Sequence, residues 1–511
     1  MSAHTKKVLI IAAVVLAFLT LLLVLVVPRL VDVNRYRTQV AALLESKTGK
    51  PVSIGRLELT LYPHIAIQVD DFAIGNPKGF PSGDFFRAQR IYALLQAGPL
   101  WNRKIVIQSL IVQSPVIHLI SNTAGRWNYE GPPTSQTENP GAQSGGGPDF
   151  SLGTISEVKI DDGHLTITNL LASGAMGPTY FDGQGLSCRF QNVNLNALGA
   201  AESSSASHSD SRIIPASKNP ARLVANGSFH AGSLRFGNIQ ATAVDSGIKV
   251  FPKQAYLEDL KLTLAGGSVR GEAASDFSGA SPLFSARTSF QKIDVAQLLN
   301  TIPEARGKMT GTMEGNLDLN GEATHSSDPL SGLRGTGKVN IRNGRLPTLQ
   351  LNKNLLFLVR LAGVGATSGD PASFRSVSTD LNLANQHLAS KNLKIVSNDL
   401  NVDAAGETNV AKGNQINYTG TAVVPARQGG LTNLVSQISG ATFANGKLSF
   451  PFDLTGTLDN PKFSLKTGKG ILGGLSAPAK GGRQGAQPAN TIRNLIDIFQ
   501  KKKSTTTTPP K

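Results

Sequence analysis

The stretch Val52 to Val69, VSIGRLELTLYPHIAIQV, decides the class of this chain. Apolar residues recur at every second position: Ile54, then Leu57, Leu59 and Leu61, then Ile65, Ile67 and Val69. A period of two sends successive side chains to opposite faces of an extended backbone, so each run reads as a strand with one dry and one wet face. Tyr62-Pro63 interrupts the runs as a turn.

The alternation continues downstream in Val158/Ile160, Leu165/Ile167, Leu260/Leu262/Leu264, Leu317/Leu319, Val339/Ile341, Leu381/Leu383, Leu393/Ile395, Leu448/Phe450/Phe452/Leu454 and Phe463/Leu465. Asn343-Gly344 and Asn445-Gly446 are dipeptides of tight hairpin turns and predict antiparallel neighbours. Gly 53 and Pro 27, with 6% aromatic and 16% charged residues, suit many short strands better than a helical bundle. Short helices are expected at Asp294 to Thr301, Asn352 to Ala362 and Leu431 to Ile438. A sheet of this kind must cover its dry face. Closing into a barrel, pairing as a sandwich, or curling into a groove that holds another molecule's hydrocarbon would all give the same periodicity. About 25 strands at roughly 4.8 Å would extend on the order of 120 Å, a length that brings the groove into consideration.

Upstream of Val52 the period changes. Val33, Tyr36, Val40, Leu43 and Leu44 fall at helical spacing over Asp32 to Lys47, with Asp32 as N-cap and Gly49 as stop. Before it, Val8 to Val27, VLIIAAVVLAFLTLLLVLVV, carries no charge and would reach about 30 Å as a helix, the hydrocarbon thickness of a bilayer. It is too long for a signal peptide and closes on Val26-Val27-Pro28-Arg29 instead of small residues, so it reads as an uncleaved transmembrane anchor. Lys6 and Lys7 precede it while Arg29, Arg35 and Arg37 follow, so flanking charge does not orient it.

The net charge of +16 and the pI near 9.8 raise nucleic acid as a partner. The basic residues are spread thinly, without a dense stripe or interleaved aromatics, which fits a solvated face near anionic lipid and no nucleic acid. A single cysteine, Cys188, excludes an internal disulfide framework. The eight histidines show no ligand spacing, and no metal or cofactor is expected. Gly332 to Lys338, GLRGTGK, lacks the Ser or Thr of a phosphate-binding loop and runs into an alternating segment. Gly363-Val364-Gly365 lacks the third glycine of a dinucleotide fingerprint. The carboxylate pairs Asp70-Asp71 and Asp161-Asp162 are assigned to strand ends or turns. No catalytic residue is identified, and the chain is expected not to be an enzyme.

Several ordered motifs resemble the AsmA family of bacterial envelope proteins. They are the Thr48-Gly49-Lys50 helix exit, the Gly55 to Leu61 strand, the Tyr62-Pro63 turn, LLQAGPL at Leu94 to Leu100, the Gly125-Arg126-Trp127-Asn128 ending, GTGKVNIRNGRL, and the closing TFANGKLSFPFDLTGTLDNPKFSLK. The resemblance implies an inner-membrane anchor, a periplasmic chain, and a mainly β fold with an elongated, twisted antiparallel sheet curled into a groove. It also implies relation to bridge-like, chorein-type lipid transfer proteins, with phospholipid acyl chains as ligand and transport between inner and outer membrane as function. The lipid-contacting residues are then Leu57, Leu59, Ile65, Ile67, Leu317, Leu319, Val339 and Ile341. The alternative is a scaffold or regulator of outer-membrane protein assembly, with a closed β core and periplasmic or outer-membrane assembly proteins as partners.

The expected organisation is a tail 1–7, the transmembrane helix 8–27, an N-terminal helix and β region 32–130, a disordered loop 131–150, a β region 151–198, a second disordered loop 199–221, and a C-terminal β-groove region 222–467. A Gly-rich linker 468–489, a basic amphipathic helix 490–503 and a tail 504–511 follow. The helix presents Ile492, Leu495, Ile496 and Phe499 on one face, either capping the last strands or touching a membrane or partner.

Overall fold

The computed structural model describes residues 33–61, 64–100, 104–130, 149–150, 154–194, 197, 223–276, 283–302, 305–322, 332–347, 372–398, 400–410, 414–425, 441–458 and 460–466. The chain is mainly β with few helices. The expected anchor 8–27, the helices at 352–362 and 431–438, most of the two polar loops and the C-terminal helix lie outside the described residues. No helix among the described residues is long and apolar enough to cross a membrane. Two compact units divide the chain, one of Met1–Pro347 with Ser378–Ala389 and one of Thr348–Val377 with Ser390–Lys511.

The first unit opens with a 3-10 turn, Val33–Tyr36, and helix α1, Arg37–Thr48. Gly49 ends α1 in the left-handed region at φ 67°, and its N–H bonds the Glu45 carbonyl, as the expected glycine stop requires. The helix starts later than its apolar spacing suggests. Tyr36 occupies the N-cap without a side-chain bond, and Tyr36 and Leu43 are 41% and 54% exposed.

Strands β1 (Val52–Thr60), β2 (Ala66–Gly75), β3 (Asp84–Leu95), β5 (Ile107–Ser121), β7 (Thr154–Asn169), β8 (Phe181–Asn194), β9 (Ala225–Phe236) and β10 (Ile239–Phe251) each pair with the next. The ladder continues through β11 (Gln254–Leu264), β12 (Gly267–Asp276), β13 (Leu283–Asp294), β14 (Thr310–Glu322) and β15 (Leu333–Arg345). A four-residue helix α2 (Ala97–Leu100) follows β3, and two-residue strands β4 (Lys104–Ile105) and β6 (Asp149–Phe150) pair in parallel. Helix α3 (Val295–Asn300) sits where the sequence predicts it, its N-cap Asp294 accepting the Gln297 N–H at 3.0 Å. Among the described strands β1 pairs with β2 alone, so this ladder is an open sheet and not a barrel.

Two expectations are corrected here. The sheet is not antiparallel throughout, because β5 and β7 run parallel. A parallel neighbour needs a connection that returns along the full strand, and positions 122–153 supply that length. Asn343-Gly344 is not a hairpin turn: it lies inside β15, where Asn343 takes φ 52° opposite the register shift between Thr310 and Thr312. A β-bulge uses the same left-handed residue types as a turn, which is why the dipeptide misleads.

In the second unit β18 (Asn401–Asn409) pairs with β19 (Gln415–Pro425), β19 with β21 (Lys447–Thr457), and β21 with β20 (Thr442–Ala444) and β22 (Pro461–Leu465). Here Asn445-Gly446 does form the expected turn, at φ 52° and 71°, joining Ala444 to Lys447. Leu448, Phe450, Phe452, Ala422 and Val424 are at most 2% exposed and form a filled core. Strands β16 (Ser373–Ala384) and β17 (His387–Val396), whose residues Ser378–Ala389 belong to the first unit, flank the turn residues Asn385 and Gln386, both at positive φ.

Candidate functional site

The first unit presents two chemically distinct faces. Register partners share a face, so a row can be followed from strand to strand. Leu59 faces Ile67, then Ala93, Leu110, Val158, Phe190, Gly227, Ile248, Leu257, Ala273, Ala286, Leu319 and Gly335. No member carries a polar side chain, and every one is half-buried. The row itself is neither sealed like the Phe450 core nor free in solvent, while Ala231, Val244 and Ile293 elsewhere on the same face are at most 1% exposed.

The expected contact residues fall on this face. Leu57 and Leu59 face Val69 and Ile67, Leu317 and Leu319 sit between β13 and β15, Val339 faces Gly315 and Ile341 faces Met313. Ile65 lies just before β2 and its carbonyl accepts the Leu95 N–H at 2.8 Å. Cys188 faces Ile160 and Phe229 within the same surface, and burial pushes its thiol up to about 11.

The apolar face survives a break in the alternation. In β2 it runs Ile67, Val69, then Phe72, Ile74, a step of three across Asp71, which takes φ 51°. The same step spans Ser114 in β5, Asp162 in β7, Gly185 in β8, Ala243 in β10 and Asp259 in β11, all at positive φ between 45° and 63°. A left-handed residue rotates the backbone so that the next apolar residue returns to the original face, and it adds local bend and twist. These positions lie side by side in register from Gly55 through β7 and form a seam across the strands. A Cβ at Gly55 would come within 2.9 Å of the Asp71 side chain, so glycine is what the seam leaves room for there. Asp70-Asp71 and Asp161-Asp162 therefore stand inside strands, contrary to the strand-end expectation, because short polar side chains tolerate the left-handed geometry.

The opposite face is largely polar and tied across strands, apart from a buried patch of Phe251, Tyr256 and Ala274. Asp70 meets Arg90 at 2.6 Å; Asp182 meets His164 at 2.9 Å and Arg235 at 2.7 Å; His230 meets Asp245 at 2.8 Å; Arg287 joins Glu272 and Asp318 at 3.4 and 3.2 Å. The Arg235 hydrogen bond, against the effect of burial and with help from His164, holds the Asp182 pKa below its ordinary value. His118, bonded to Thr166 at 2.7 Å, is shifted down by burial and by nearby His164. Spacing along the chain hides this proximity, which only strand pairing creates. Among the described residues no three metal-binding side chains converge.

Two motifs far apart in sequence meet at one end of the strands. Lys50, 5% exposed, bonds the Tyr129 carbonyl and lies 4.8 Å from the Phe85 ring, and burial lowers its pKa against the opposing pull of Glu130. Asn128, fully buried, accepts from the Ile120 N–H at 3.0 Å and donates to the His118 carbonyl at 2.7 Å and to Asn76 at 2.8 Å. Helix exit and strand ending are thus joined by a satisfied polar network.

A sequence model of the AsmA family matches residues 5–173 and 229–393. No match was found among the curated proteins or among the solved structures.

Proposed function

The chain belongs to the AsmA family, and from that premise we propose that it is a non-enzymatic envelope protein, anchored in the inner membrane by Val8 to Val27 with its bulk in the periplasm. On this reading the apolar face of the first unit curls as a groove around phospholipid acyl chains and supports their passage between inner and outer membrane. The observation that carries the reading is the uninterrupted, half-buried row from Leu59 to Gly335. Each methylene moved from water to an apolar surface gains about 0.8 kcal/mol, so a lipid tail crossing water needs such a lining along its whole path. The seam of left-handed residues supplies the bend that a gutter requires.

The test is lipid extraction and native mass spectrometry of the full chain purified from membranes. Phospholipid is expected to copurify, and Leu110→Asp with Val158→Asp is expected to deplete it. The native Cys188 gives a second readout. Its alkylation by a water-soluble maleimide should rise when lipid is stripped. Lipid-free wild-type protein with an unprotected Cys188 would overturn the reading.

The filled Phe450 core favours a second role for the second unit. A core already filled by side chains has nothing to offer a lipid tail, and it suits a scaffold that meets envelope assembly proteins.

A further inference from the structure

Helix α1 packs Val40, Ala41, Leu44 and Thr48 toward β1, a stripe at helical spacing that is half-buried. Its attachment is specific: Arg37 donates to the Gly55 carbonyl at 2.8 Å, and Asn34 accepts the Leu57 N–H at 3.2 Å. Leu43 on the other side of α1 and Tyr36, its N-cap at the end of the 3-10 turn, are 54% and 41% exposed. Arg35 lies 4.7 Å over the Tyr36 ring and donates to its hydroxyl at 2.7 Å.

A helix fixed on one side to a sheet has no internal use for an exposed Tyr and Leu on the other. The chain preceding it indicates what covers them. The apolar run ends at Val27, so Val33 stands at most about 20 Å from the point where that run leaves hydrocarbon. Between Pro28 and Thr48 the sequence holds Arg29, Arg35 and Lys47, with Arg37 turned to β1, against Asp32 and Glu45. An aromatic and a leucine beside cations are the combination that settles at the boundary between headgroups and acyl chains.

We propose that the outward side of the segment Val33–Thr48, Leu43 of α1 with Arg35 and Tyr36 of the 3-10 turn before it, lies on an anionic bilayer surface. The proposal rests on the anchor reading of Val8 to Val27 and is independent of lipid in the apolar face. It assigns α1 a task beyond connection, which is to set the angle at which β1 leaves the membrane.

The test places an environment-sensitive fluorophore on Leu43→Cys in full-length Cys188→Ser protein, with Thr336→Cys on the exposed polar side of β15 as reference. The protein is reconstituted into phosphatidylethanolamine–phosphatidylglycerol vesicles, or into phosphatidylcholine vesicles. In the anionic vesicles the label at 43 is expected to shift to the blue and to be quenched severalfold more by a lipid-borne nitroxide than the label at 336. Arg35→Glu should reduce that quenching, and neutral vesicles should weaken it. A label at 43 that stays as aqueous as that at 336 while the protein floats with vesicles overturns this proposal and leaves the anchor reading standing. Failure to float overturns both. A blue shift in lipid-free detergent that grows with protein concentration would assign the stripe to a second copy of the chain instead, and equal quenching in neutral vesicles would remove the anionic requirement.

Discussion

Asn128 shows how one residue can hold a strand end. Its carboxamide satisfies the buried Ile120 N–H and the half-buried His118 carbonyl, and ties them to Asn76. Removing it leaves those groups unpaired, at about 1–3 kcal/mol each. Asn128→Ala is expected to loosen this end of β5 by about 2 kcal/mol, read as roughly 30-fold faster hydrogen exchange at the Ile120 amide. Asp182 carries a pH dependence. Its folded pKa is depressed, so its contribution is fully present above the ordinary carboxylate range, near pH 4, and is lost as pH falls through the folded value. Asp182→Asn should be less resistant than the parent to exchange in β8 and β9 at neutral pH, and the difference should vanish in strong acid. The sequence displays the family motifs around Lys50 and Asn128 but not that they meet, because the Tyr129 carbonyl and the Lys50 amine are brought together by strand pairing alone.

Among the elements, β13 to β15 show how glycine serves a sheet. Gly315 pairs with Phe290, whose ring edge lies 2.9 Å from where a Cβ would stand, and that Cβ would also overlap the Lys338 carbonyl. The aromatic ring covers a strand backbone that glycine leaves bare. Gly315→Val should therefore break the local ladder on both sides, at a cost of about 2–4 kcal/mol, and limited proteolysis should cut β14 sooner than in the parent. The position reads in the sequence as an ordinary strand glycine. What distinguishes it is a backbone approach from the neighbouring strand, and local periodicity carries no trace of that. The seam is different, since the three-residue steps from Val69 to Phe72 and from Ile160 to Gly163 are written in the sequence. They read as strand ends because a break in alternation is also what a turn produces.

At the scale of the molecule, the two units use one strand chemistry to opposite ends. In the second, Phe450 and Phe452 are sealed by their own neighbours, while in the first the row from Leu59 to Gly335 keeps part of its surface open. Phe450→Ala should cost the second unit about 3–5 kcal/mol through the cavity it leaves. Proteolysis should then release fragments of the second unit while lipid recovered with the first is unchanged. Equal loss from both would show that the filled core supports the open face.

The sequence by itself determined the strand class, the α1 stop at Gly49, the place of helix α3, the Asn445-Gly446 turn and the membership of the apolar face. Each of these follows from local rules: side-chain alternation, capping chemistry and the tolerance of glycine and asparagine for positive φ. Only the tertiary structure decided that β5 and β7 run parallel, that Asp71 and Asp162 bend strands instead of ending them, and that the row from Leu59 to Gly335 in the first unit is left half-buried while the core around Phe450 in the second is filled. Those outcomes depend on which strand stands beside which, and a period of two is the same whether the dry face meets side chains of the protein or the tail of a lipid.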